Sequence, residues 1–111
     1  MSDVIKLVQG DTRPIVMVRL TDEDTGAAID LSPVGTSVDL KFRAAGGTTV
    51  LSTITCTIVD AEDGKVQFDF TNGILSTVGP GLYEGELQIN FPASQVQTVY
   101  GLLKFRVRQQ F

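Results

Sequence analysis

Gly79-Pro80-Gly81-Leu82-Tyr83-Glu84-Gly85-Glu86-Leu87-Gln88-Ile89-Asn90-Phe91 decides how the rest of the chain is read. A proline between two glycines ends the preceding element and turns the backbone. Behind it, Tyr83, Gly85, Leu87, Ile89 and Phe91 alternate with Glu84, Glu86, Gln88 and Asn90. A sustained period of two is the pattern of a strand with one buried and one wet face. The stretch predicts a long strand entered through a tight corner, in which Gly81 makes the turn and the Tyr83 hydroxyl bonds back to upstream backbone.

Working outward, similar short runs fill the chain. Residues 4–8 read as an edge strand closed by Gln9-Gly10-Asp11. Pro14 suits a strand's first residue because it donates no ladder bond. In the run that follows, Val16, Val18 and Leu20 form the better core set, since Arg19 shares the other face with Ile15 and Met17. That places two large apolar side chains beside an arginine on an outward face, a composition enriched at protein interfaces. Val38, Leu40 and Phe42 point inward on the next strand; Ile54, Cys56 and Ile58 do so on another, against Thr53, Thr55 and Thr57. Val66, Phe68 and Phe70 form the most aromatic core strand, and residues 74–78 predict a single helical turn or an irregular crossing. After Pro92, a hairpin's return leg places Val99, Gly101, Leu103, Phe105 and Val107 inside and Lys104, Arg106 and Arg108 outside. The expected register opposes Glu86 to Lys104 and Glu84 to Arg106, and lays the Phe105 ring over Gly85. Seven or eight short strands with turns between them predict one domain over 1–111, all-β, an antiparallel immunoglobulin-like β-sandwich. The Gly-x-Tyr corner resembles the one that opens strand F of such sandwiches.

The bulk numbers agree. The 111 residues suffice for one core. A 42% hydrophobic and 20% charged composition is that of a globular chain. No apolar run has the length of a membrane span, and no leader is visible at the N-terminus. A net charge of −4 without a basic cluster argues against nucleic acid as a partner. The single cysteine, Cys56, excludes an internal disulfide and reads as a buried inert thiol made in a reducing cytoplasm.

Catalytic, cofactor and metal sites find no support. The chain has no histidine, so Cys56 and the serines lack an imidazole partner. Glu84 and Glu86 share a strand face at about 7 Å, a glycosidase spacing, yet no tryptophan is present to stack a sugar. Asp22-Glu23-Asp24 begins an acidic turn, but the glycine falls fifth and the twelfth residue is Pro33, which breaks an EF-hand pattern. Gly46-Gly47 lacks the following lysine of a phosphate loop.

The ordered set Gln9-Gly10-Asp11-Thr12-x-Pro14, Asp24-Thr25-Gly26-x-x-Ile29-Asp30-Leu31, Val38-x-Leu40-x-Phe42-Arg43, Asp63-Gly64-Lys65-Val66, Gly79-Pro80-Gly81-x-Tyr83-x-Gly85-x-Leu87 and Gln97-Thr98-Val99 resembles the N-terminal domain of phage baseplate upper proteins. The resemblance implies a virion structural protein of baseplate, tail or another part of the particle, an immunoglobulin-type docking module that binds other phage structural proteins as a homo-oligomer or in symmetric copies. It carries over no catalytic residue and no cofactor, and implies a chain made in the bacterial host's cytoplasm; charge and hydropathy, as above, are what argue against nucleic acid and membrane as partners. The alternative is a carbohydrate-binding or adhesion module, for which Tyr100 is the candidate exposed platform.

Overall fold

The computed structural model describes residues 4–22, 24–99 and 102–110. Eight strands follow in order: β1 Val4–Val8, β2 Val16–Arg19, β3 Ser37–Ala44, β4 Ser52–Asp60, β5 Lys65–Phe68, β6 Gly81–Phe91, β7 Gln95–Thr98 and β8 Leu103–Arg108. A short 3-10 turn spans Ile74–Ser76. Each longer strand exists because its sequence alternates. Val38, Leu40 and Phe42 of β3, and Leu87 and Ile89 of β6, are buried while their neighbours along the strand are not.

The strands hydrogen-bond in the order β1-β8-β6-β3-β4-β5-β2, with β7 also on β6. The result is a curled mixed sheet forming a half-barrel. It differs from an antiparallel sandwich in two respects. First, the ladder does not divide into two sheets. β4 is nine residues long, so it pairs with β3 through residues 52–56 and with β5 through residues 57–60. Second, β1 runs parallel to β8. No hairpin joins them, so nothing forces an antiparallel pairing. Instead Gly10 N–H donates to the Leu75 carbonyl and Phe70 N–H to that of Thr12, leading the chain from β1 across to β2 at the far end of the path.

The last hairpin corrects the expected register. Glu84 lies opposite Lys104, not Arg106, and Gly85 opposite Leu103, a shift of two residues. The cause is a tighter hairpin than the expected register allows, and an irregular step in the return leg recovers only half of the offset. β7 follows a three-residue loop that pairs Phe91 with Gln95 and Ile89 with Gln97. Val99 N–H still donates to Leu87, but the next ladder pair joins Leu103 to Gly85. Four steps on one strand thus match two on the other. Each side chain keeps its face, because an even shift preserves the alternation.

The core is aromatic at its centre. Phe42, Phe68, Phe70 and Phe105 meet in edge-on or tilted pairs with centroids 5.4–6.3 Å apart, the geometry that ring quadrupoles favour. Gly85 is what lets them fit. A Cβ on that residue would stand 2.6 Å from Leu40 Cδ1 and 2.9 Å from Phe105 Cε2. Phe105, directly opposite Tyr83, leans diagonally into the gap left by the missing side chain.

Gly85→Ala should therefore destabilise the protein by about 1–3 kcal/mol, the usual cost of overpacking a core. Adding Leu40→Val should recover part of that loss in denaturant melts, because it withdraws one of the two obstructing groups. A Gly85→Ala protein as stable as the parent would mean that the hollow is not tightly packed.

Candidate functional site

The corner comes first, because it sets where β6 begins. Gly81 adopts φ 151°, a conformation that side chains disfavour. Tyr83 then donates its hydroxyl to the Gly79 carbonyl at 2.6 Å. Its half-buried ring stacks on Phe42, with centroids 5.1 Å apart and planes 14° from parallel. The residue thus ties the turn before β6 to the middle of β3.

The outward face of β2 and the residue just before it carry the second candidate. Ile15 is 51% exposed and Met17 57%, whereas Val18 and Leu20 are buried. Arg19 Nε donates to Asp63 Oδ1 at 3.2 Å, and Lys65 Nζ lies 3.3 Å from Asp63 Oδ2. Bonds from Lys65 and then Arg19 hold the Asp63 carboxyl below its ordinary range. The three charges fix the end of the β2–β5 ladder beside the apolar pair.

A third surface was not singled out by sequence reasoning. On the outer face of β1 and β8, Lys6 lies beside Arg106 and Val8 beside Arg108, while Leu82 of β6 flanks Arg106 from the other side. Val4, Ala45, Leu82, Glu84, Lys104 and Arg106 help line a depression of about 260 Å³. Glu84 is committed elsewhere: it accepts Gly46 N–H at 3.1 Å and lies 3.5 Å from Arg43 Nε. Among the described residues Lys6, Lys104 and Arg106 make no ion pair. The alternation Lys104-x-Arg106-x-Arg108 was legible, but the expected register gave Arg106 a carboxylate partner where the actual one sets it opposite Leu82, and Glu84, opposite Lys104, is engaged by Gly46 and Arg43.

The interior offers little chemistry. Cys56 is buried, and desolvation together with nearby Asp39 pushes its thiol up to about 12. No cluster of three or more metal-ligating side chains occurs among the described residues. Asp22 instead accepts the backbone N–H groups of Asp24 and Thr25, as a turn residue does. No helix among the described residues is long and apolar enough to cross a membrane. Tyr100 lies outside the described residues.

Two outcomes follow from this geometry. Tyr83→Phe should retain the fold and lose about 0.5–1.5 kcal/mol, the net value of one hydrogen bond; an unchanged denaturant midpoint would remove the corner's role. Cys56 should resist alkylation at pH 8 in the native protein and react once unfolded, since only the thiolate is nucleophilic. Labelling at equal rates in both states would contradict its burial.

No family model matches this sequence, and no curated protein does. Among solved structures, the chain is similar to one described as the N-terminal domain of phage TP901-1 ORF48. The TM-score is 0.63 at 13% identity, over 98% of this chain and 86% of the other. At that identity the likeness is one of fold, and it extends over nearly the whole chain.

Proposed function

We propose that this chain is a structural protein of a bacteriophage particle, a docking module of baseplate or tail that binds other virion proteins through its outer strand faces. The observation that carries this reading is the likeness in fold to a phage domain over 98% of the chain. The strand order supports an immunoglobulin-type relationship: β8-β6-β3 form one flank, β5-β2 the other, and an N-terminal strand runs parallel to the last one. A non-enzymatic role accords with a core built of hydrocarbon and aromatic groups and with a thiol held protonated. The virion is then its destination and the host cytoplasm its place of synthesis.

Ile15 and Met17, with Arg19 beside them, are proposed as one contact to a neighbouring virion protein. Their exposure, beside Val18 and Leu20 that fill the core, supports this. The glycan-binding alternative is less well supported. Phe42, Phe68, Phe70 and Phe105 are in the core, and Tyr83 and Phe91 pack against it, so no described aromatic offers an open platform.

Mass spectrometry of purified particles should find the chain as a stoichiometric component. Ile15→Ser combined with Met17→Ser should leave the melting temperature nearly unchanged and reduce incorporation into particles. A chain absent from purified particles would refute the proposed role. Wild-type incorporation of the double variant would refute this contact, and a loss of several kcal/mol would assign both residues to the core.

A further inference from the structure

We infer that the basic face of β1 and β8 docks the acidic end of a second copy of this chain, an inference that rests on the structural role proposed above and names one of its partners. Four of the nine Lys and Arg residues, Lys6, Lys104, Arg106 and Arg108, share this face although the chain carries a net charge of −4. Lys6 and Arg106 stand side by side across the β1–β8 ladder. Like charges so placed repel one another, and an external anionic surface converts that repulsion into attraction. Beside them, Val4 is 41% exposed and Leu82 53%, both lining the same depression. An apolar centre within a charged rim is the ordinary anatomy of a protein interface.

The complementary surface lies at the other end of the strands. β4 ends at Asp60 and β5 begins at Lys65, at the end where β6 finishes; Arg106 and Arg108 lie where β6 begins. Two turns, 21–28 and 60–64, pack together there. Leu20 N–H donates to Gly64, Ile29 N–H to Leu20 and Leu31 N–H to Ala61. Gly64 makes the contact possible, since a Cβ on it would stand 2.8 Å from the carbonyl oxygens of both Leu20 and Ile29. The packing gathers Asp22, Asp24, Asp30, Asp60, Glu62 and Asp63 at one end, against Arg19 and Lys65. On the loop after Asp30, Val34 is 94% exposed, the most open large apolar side chain described.

Acidic loops with an apolar knob at one end therefore match a basic face with an apolar hollow at the other. Two different patches of one chain that fit each other make a head-to-tail contact, the kind that builds rings or stacks of identical copies. Repetition along such an assembly compensates for a weak single contact.

Sedimentation of the purified chain tests this. At ~1 mM, near the weak limit of specific association, the wild-type protein should self-associate at low salt and dissociate as salt screens the charges. Lys104→Glu with Arg106→Glu should weaken association at least about tenfold, as should Asp24→Lys with Glu62→Lys. Mixing the two variants should restore a complex, because the reversed face of one then meets the reversed end of the other. Val34→Ser should weaken association without altering its salt dependence. A wild-type chain that stays monomeric, association that survives either reversal, or a mixture that fails to associate overturns the inference. Should a reversal impair folding, Lys104→Gln with Arg106→Gln carries the same test. Presence of the chain in particles is read separately, so a monomeric protein still found there sinks this contact and not the proposed role.

Discussion

The hollow above Gly85 is the constraint on which the rest of the fold depends. β6 is flanked by β3 and β8, and only a residue without a side chain leaves room for Leu40 from one and Phe105 from the other. Phe105 can then reach Phe42, Phe68 and Phe70, which draws the β5 flank onto the β6 flank. Tyr83 stacks on the same Phe42 and secures the turn before β6. Closure of the half-barrel and placement of the corner thus share one cause. Dispersion between closely packed rings falls off steeply with separation, so a small misfit at this point weakens every contact around it.

Among the described residues no polar or charged side chain is buried in this centre, so those groups lie toward the surface. The long strands carry polar and charged side chains on their outer faces, and the loops gather them at the ends. Most surface ion pairs contribute little to stability, yet charge patterns select partners and orientation effectively. The ion pairs around Asp63 and the contact between Glu84 and Arg43 fix loops in place, while Lys6, Lys104 and Arg106 remain directed outward. That division accords with the docking role proposed above.

Much of the fold was legible in the sequence, because alternation reports which face of a strand is buried regardless of what the strand pairs with. Val38, Leu40, Phe42, Val66, Phe68 and Phe70 were assigned inward on that basis and are buried. The same signal placed Ile15 and Met17 outward, where they are found. Pairing was less legible. Alternation is unchanged by a shift of two, so nothing in residues 84–108 distinguished Lys104 from Arg106 as the neighbour of Glu84. The tight hairpin and the irregular step between Val99 and Leu103 decided it. The direction of β1 was likewise hidden, since a five-residue edge strand has the same pattern either way along its partner. The basic face went unnoticed for the same reason: it is assembled from β1 and β8, which lie nearly a whole chain apart.

Native-state hydrogen exchange tests the central claim most directly, because it ranks the stability of each strand within the folded protein. If packing around Gly85 organises the fold, the slowest amides belong to β3 and β6 beside it. Those of Leu40, Phe42, Leu87 and Ile89 should open only with the full denaturant dependence of global unfolding. β1, β2 and β7 should open earlier, as separate and smaller events. Exchange of the β3 and β6 amides at low free energy while β1 or β2 stays protected would contradict the account, and would place the organising contacts at the margins of the sheet.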